Sequence, residues 1–450
     1  MTKIATKLSF KEKIGYSVGD TASHFVWDMV GFWILIFYTD TYGISAAAAG
    51  TIMLIARFWD MLSDPIMGVI ADRTNTRWGK FRPYILWMAL PYAVLAVMTF
   101  TTPDFGPTGK VIYAGTTYLL LMTVFTAINL PYSSLGAVMT ADSLERTGLN
   151  SYRFIFAFVG QLIVSGTALT LAKYFGNGND ADGYQITLIL FSAISFILFM
   201  VTFSTTRERV LPPKEQKESL KEDFQNLLKN RPWLILFFVG ILSFIMFALQ
   251  NLSIAYYFKY YIGNEENVQL FNVIGTIALI VAIPFSKPLA KKFGKRNVFL
   301  ASSLISGFFF MLLYLPGEKD TITIYVINIL AKMAYAPSVP LLWTMLADSA
   351  DYSEWKTGRR STGLVFSAAT FAQKAGWGIG GALAGWMLAL FQFVPNEVQS
   401  DLSITGMKLM ISVIPGILYM SCALFLFFYN IDQKTSLQMQ EELEQRKMNE

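Results

Sequence analysis

"AAAAGTIMLIARFWDMLSDPIMGVIADRTNTRWGKFRP", from Ala46 to Pro83, opens as a lipid-compatible run and then places Arg57, Asp60 and Asp64 in its middle. An ionised side chain at a bilayer centre costs from about 3 kcal/mol to above about 10, so such groups face a bundle interior and mark a pathway. Asp60 and Asp64 are four residues apart and Arg57 precedes Asp60 by three, which puts all three on one helical face. Two carboxylates and one guanidinium leave one negative charge. A monovalent cation entering between the carboxylates neutralises the cluster, and so does a single proton. Oxygen ligands suit a hard cation such as Na⁺, with Ser63 beside Asp64 and Thr126 on a later helix as hydroxyl ligands.

The rest of the chain fits a membrane setting. Of its 450 residues 54% are hydrophobic and 15% charged, and the mean hydropathy of +0.45 lies outside the range of soluble globular proteins. Runs long enough to cross a hydrocarbon core of about 30 Å as helices recur along the whole length. The reading is an all-α protein with spans at 14–42, 46–71, 83–102, 111–139, 152–173, 184–205, 233–258, 266–290, 298–316, 321–348, 363–391 and 405–430. The opening "MTKIATKLSFKEK" has no short apolar core or small-residue cleavage site, so the first span is expected to be retained. Cys422 is the only cysteine, which excludes a disulfide framework or a Cys-based metal site.

Lysine and arginine collect in short cytoplasmic loops. Of the 36 such residues, 28 fall on the side of the two termini, five on the opposite side and three within spans. Both termini are therefore expected in the cytoplasm, at a cell (inner) membrane. The net charge of +5 reflects this topology, and nucleic acid is not expected as a partner. The charged stretch 206–232 divides the spans six and six, giving an N-terminal half 1–205, a linker 206–232, a C-terminal half 233–430 and a polar tail 431–450.

The halves repeat each other. "ADRTNTRWGKFRP" after the second span has a degenerate counterpart in "KPLAKKFGKRNVF" after the eighth, and "ADSLERTG" after the fourth recurs as "ADSADYSEWKTGRRSTG" after the tenth. Gly79 and Gly294 are 215 residues apart, Ala141 and Ala347 206. A repeated six-plus-six helical chain is the layout of a major-facilitator transporter with a midplane site. A twelve-helix channel, receptor or membrane enzyme lacks reason for that repeat.

"GYSVGD", "ARFWDMLSDPIMGVIADRTNTRWGKFRPY", "INLPYSSLGAVMT" and "ADSADYSEWKTGRRSTG" resemble, over essentially the full chain, the signatures of the glycoside-pentoside-hexuronide:cation symporters, the group containing melibiose permease. The resemblance implies symport of a sugar with Na⁺ or H⁺ by alternating access, with the cation held at the positions of Asp60, Asp64, Ser63 and Thr126. It also places Thr370, Lys374 and Arg153 at sugar- or cation-lining positions. The chain departs from melibiose permease at two acidic positions, which here read Asn129 and His24. Melibiose itself is thereby disfavoured.

His24, the only histidine, lies between Asp20 and Asp28 at steps of four with Trp27 adjacent, a stripe suited to hydrogen-bonding sugar hydroxyls or relaying a proton. Lys374, Thr370 and Trp377 share a face of the eleventh span, and Arg153 offers a fork of donors. His24, Asp28, Trp27, Asn129, Arg153, Thr370, Lys374 and Trp377 are the substrate candidates, with Lys332, Tyr335 and Trp343 as weaker ones. Arg57, Asp20, Asp72, Arg73, Arg77, Lys80, Asp348, Asp351, Arg359 and Arg360, together with Arg82 and Glu354, are candidates for coupling or gating through charge pairs at helix ends. No phosphate-cradling glycine loop or soluble catalytic constellation is present, so the expectation is a non-enzyme driven by an ion gradient, without a cofactor. The alternatives are a lipid or lysolipid carrier of the same fold and a membrane-bound sugar enzyme.

Overall fold

The computed structural model describes residues 8–140, 143–209, 227–358 and 362–449. Arg359, Arg360 and the side chain of Asp72 lie outside the described residues. Two compact units divide the chain, Met1–Glu215 with Phe393–Val398, and Gln216–Gln392 with Gln399–Glu450. Among the described residues the only β pairing is an isolated bridge between Thr76 and Gly79.

The first unit contains α1 (Phe10–Ile36), which continues as a π-helical turn (Phe37–Thr41), then α2 (Ala46–Arg73), α3 (Arg82–Thr99), α4 (Pro107–Met139), α5 (Ser143–Gly176) and α6 (Asp180–Thr205). A capping box starts α1, with Ser9 and Glu12 satisfying each other's backbone amides, and the Ser45 hydroxyl caps α2. Both close the orphan donors that a helix entering a membrane leaves behind.

The second unit repeats the order with breaks. α7 (Arg231–Tyr256) also runs into a π-helical turn (Tyr257–Ile262). The eighth apolar run, read as one span from sequence, is α8 (Asn267–Ala282) and α9 (Ser286–Phe293) joined by a 3₁₀ turn at Pro284. α10 (Lys295–Leu312) follows, and the tenth run is α11 (Thr321–Tyr335) and α12 (Ser338–Thr357), parted at Pro337. Proline removes an amide donor and crowds the preceding turn, which accounts for both breaks. α13 (Thr362–Leu390), α14 (Asp401–Ile411), α15 (Val413–Phe427) and the polar α16 (Gln433–Asn449) complete the chain.

Packing obeys the same repeat. In the first unit α1 lies against α5 and α6, α3 against α4 and α6, and α2 against α4; in the second α7 lies against α13 and α15, α10 against α11 and α15, and α8 against α11. Glycines set the closest approaches. A Cβ at Gly160 of α5 would stand 3.2 Å from Thr21 Cα on α1, and one at Gly376 of α13 would stand 2.9 Å from the Ile241 carbonyl oxygen on α7. Small residues let helices pack without a hydrophobic driving force between them.

Nine helical segments are, among the described residues, long and apolar enough to cross a membrane on their own; α2 is not one of them. Its outward face is nonetheless apolar, with Phe58, Leu62, Ile66 and Val69 all exposed. Arg57 and Asp60 are buried on its other side.

Candidate functional site

That inward side of α2 meets α4. Asp60 is wholly buried, and the Thr126 hydroxyl donates to its Oδ1 at 2.5 Å while lying 3.3 Å from Asp64 Oδ1. Arg57 Nη1 stands 3.6 Å from the other Asp60 oxygen. The one-turn spacing of Asp60 and Asp64 and the packing of α2 on α4 bring these groups together. Ser63 is oriented differently, since its hydroxyl donates along its own helix to the Asp60 carbonyl at 3.1 Å. With its proton so engaged, Ser63 has only lone pairs to offer a cation.

Trp27, expected against substrate, is engaged by the charged cluster. The Arg57 guanidinium sits 4.4 Å from the indole centroid, and the indole stacks on Phe125 at 4.5 Å with 22° between planes. A guanidinium over an aromatic face is stabilised without losing its charge. Phe125 and Thr126 are neighbours on α4, so stack and cluster share one turn.

A second pair of titratable groups lies on α1. His24 Nδ1 and Asp28 Oδ2 are 2.9 Å apart, with the imidazole about a quarter exposed and the carboxylate buried. One turn earlier Asp20 is held by Arg153 of α5 through Nε at 2.5 Å and Nη2 at 3.3 Å, and Nη2 also reaches Ser133 at 3.4 Å. Arg153 and Asp20, expected in separate roles, are therefore one bidentate pair. Tyr16 and Tyr132 support it from below. Their rings stack at 4.8 Å, each hydroxyl donates to the other's backbone carbonyl, and the guanidinium lies 5.1 Å from the Tyr132 ring. Neither tyrosine was legible as a site residue, because aromatic residues in spans are usually packing. Asn129 follows Thr126 by three residues on α4 and is half-buried.

In the second unit Lys374 lies half-buried on α13. Thr370 is exposed and donates to the Phe366 carbonyl at 3.1 Å, and Trp377 meets Phe247 edge to face at 5.6 Å. The weaker candidate Lys332 donates to Gln250 Oε1 at 3.2 Å. Tyr335 packs on Tyr419 and Trp343 on Phe366.

The charged loops form local clasps. Glu208, at the end of α6, accepts from the backbone amides of Lys80, Phe81 and Arg82 at 2.9, 2.8 and 3.0 Å. Arg82 in turn donates to the Phe203 carbonyl at 2.7 Å. In the second unit Lys295 contacts both oxygens of Asp348 at 2.8 and 2.6 Å, and Arg296 donates to the Leu426 and Phe427 carbonyls. Arg77 lies over Trp78 at 4.3 Å, Arg73 is exposed and Asp351 half-buried. Glu208 and Lys295 were not singled out by sequence.

A helical chain with two six-span repeats and a buried charged cluster within one of them has the major-facilitator fold of secondary transporters. A solved structure of the xylose transporter XylE from Escherichia coli superposes with a TM-score of 0.66 over 94% of this chain and 98% of that one, at 13% identity. Residues 15–433 match the MFS/sugar transport protein family, and the chain belongs to that family as a multi-pass membrane transporter. Among its relatives is YagG of Escherichia coli (strain K12), provisionally named a glycoside/cation symporter, with 37% identity over 95% of this chain and 93% of its own. The isoprimeverose transporter of Lactiplantibacillus pentosus is 33% identical over 97% and 92%.

Proposed function

We propose that this protein imports a neutral glycoside or pentoside together with one Na⁺ or H⁺, by alternating access across the inner membrane with both termini cytoplasmic. The observation that carries the reading is the Asp60, Asp64 and Thr126 cluster, where two carboxylates converge on one hydroxyl in a buried site. With Arg57 the cluster has a net charge of minus one, which a single monovalent cation cancels. Names of relatives support the same class, one as a glycoside/cation symporter and one as an isoprimeverose transporter.

Mechanism follows from electrostatics. An ion entering between Asp60 and Asp64 takes carboxylate oxygens and, after the Thr126 proton turns away, its hydroxyl lone pair. Asp60 then holds Arg57 less firmly, and Arg57 rests on Trp27 of α1, the helix that carries His24 and Asp28. Ion binding and the sugar-facing stripe are thereby mechanically joined. Reciprocity requires each ligand to raise the other's affinity by the same factor.

A neutral substrate is favoured over a hexuronide because the Arg153 guanidinium is already matched by Asp20 in bidentate geometry. His24, Asp28 and Asn129 supply donors and acceptors for hydroxyl groups. The test is uptake of labelled isoprimeverose and of a labelled glucuronide into right-side-out vesicles, with Na⁺ and pH gradients imposed separately. Accumulation of isoprimeverose under one gradient is expected. Accumulation of neither sugar under either gradient overturns the reading.

A further inference from the structure

The internal repeat allows the units to be compared position by position. The 206-residue offset that carries Ala141 to Ala347 carries Thr126 to Lys332, and the 215-residue offset that carries Gly79 to Gly294 carries Asp60 to Gly275, Asp64 to Leu279 and Arg57 to Asn272. Gly43 and Gly263 close the two π-helical turns with φ of 77° and 72°. Their offset of 220 residues carries Trp27 to Phe247 and His24 to Phe244.

Contacts support the alignment independently. Gly160 approaches His24 Cβ in the first unit, and Gly376 approaches Phe244 Cβ in the second. Thr126 bonds Asp60, and Lys332 Cγ lies 3.4 Å from where a Cβ would stand at Gly275. The Arg57 guanidinium lies over Trp27, and the Lys332 ammonium lies 5.6 Å from the Phe247 centroid.

What fills the equivalent place is reversed in charge. Both carboxylates and the arginine are gone, and an ammonium on a four-carbon stem projects there. It is held by the Gln250 amide oxygen at 3.2 Å and by the rings of Phe247 and Phe310, each at 5.6 Å. Asn328, one turn earlier, is fully buried. Its Nδ2 donates to the Phe271 carbonyl at 2.9 Å, and its Oδ1 meets no donor among the described residues. Ring faces and amide oxygens steady a cation without neutralising it. A lysine whose role is structural would be expected beside a carboxylate, as Lys295 is beside Asp348.

We infer that Lys332 is a tethered cation, its ammonium standing in the second unit where the exchangeable ion stands in the first. The inference rests on the proposal that Asp60 and Asp64 hold that ion. The second unit then binds no coupling ion, its interior stays positive throughout the cycle, and ion-driven change is confined to the first.

The test uses the full chain in proteoliposomes, comparing wild type with Lys332→Arg, Lys332→Met and Lys332→Ala. Loss of the buried charge in the Met and Ala variants is expected to cut gradient-driven accumulation by about tenfold or more. Lys332→Arg, which keeps the charge, is expected to stay within about threefold of wild type. Methylammonium on both sides should restore Lys332→Ala, which has room for it, and leave Lys332→Met unchanged. Cation-induced thermal stabilisation of purified Lys332→Met should equal that of wild type, showing a folded protein with its ion site intact.

Wild-type accumulation by Lys332→Met overturns the inference, as does failure of both Lys332→Arg and methylammonium to restore function. Loss of cation-induced stabilisation in Lys332→Met also overturns it, because the ion site would then depend on Lys332. A wild type that accumulates no sugar under either gradient removes the symport reading itself, and the inference with it.

Discussion

The two units share helix order, packing partners and π-helical turns, and differ in what their interiors hold. The first buries Asp20, Asp28, Arg57 and Asp60, whereas the repeat places Gly240, Ala248, Asn272 and Gly275 at the corresponding positions of the second. Matching helix order and packing with opposite chemistry separates the residues that build the fold from those that select the cargo. Glycines at helix crossings and charges at loop ends recur in both units, so they belong to the scaffold. Carboxylates recur in neither interior register of the second unit, so they belong to coupling.

The largest effect that would break this comparison is at Asp60. Replacing it with Asn leaves Arg57 buried without its charge partner, a change that costs about 3–5 kcal/mol in buried pairs. Gradient-driven accumulation should collapse toward the equilibrium ratio, while downhill flux persists at a reduced rate. Steady-state uptake beside efflux from preloaded vesicles measures both, and full accumulation by Asp60→Asn would remove the first unit's claim to coupling.

Much of this was open to a reading of the residues, and the exceptions have physical causes. The "RFWDMLSD" stretch gave itself away because helical spacing fixes one face and lipid forbids charges on the other. The pairing of Asp20 with Arg153 was hidden, since 133 residues separate them and no local periodicity links α1 to α5. The seating of Arg57 on Trp27 was hidden for a related reason. A tryptophan beside a polar stripe reads as a sugar platform, and only the packing of the helices shows that it also carries a guanidinium. Glu208 looked like one charge among many in a linker, and only the fold brings it to the start of α3.

A next, smaller effect should be equal in the two units. A valine at Gly160 would press on Thr21 backbone and one at Gly376 on the Ile241 carbonyl, and overpacking of this kind costs about 1–3 kcal/mol. Thermal unfolding in detergent should show similar losses for Gly160→Val and Gly376→Val. A loss confined to one unit would show that the scaffolds are less alike than their packing indicates.

Arg153→Lys tests the charged interior more finely. Lysine cannot reproduce the two-pronged contact with Asp20, and the loss of one charge-assisted hydrogen bond should raise the apparent KM for sugar by about tenfold to a hundredfold, since such bonds contribute about 1.5–3 kcal/mol. The maximal rate should change less. An unchanged KM would mean that the pair fixes α1 to α5 without shaping the sugar site.

The smallest expected effect distinguishes the loops. In the first unit the α3 N-terminus is closed by a carboxylate, Glu208, that accepts from three successive amides. In the second, Lys295 at the start of α10 is directed to Asp348, and Arg296 binds the end of α15. Gly79 is required beside Glu208, because with φ of +107° a Cβ there would fall 2.4 Å from the carboxyl carbon. An acceptor at a helix N-terminus is worth about 0.5–2 kcal/mol, and its negative charge adds about 0.3–1 kcal/mol through the helix dipole. Glu208→Gln keeps the acceptor and loses the charge, so it should speed amide exchange at Lys80, Phe81 and Arg82 slightly, and Glu208→Ala should speed it more. Exchange at Lys295 to Asn297 should not change in either variant. Equal protection in wild type and Glu208→Ala would mean that the α3 amides are satisfied elsewhere, and that the two loops are closed by the same means after all.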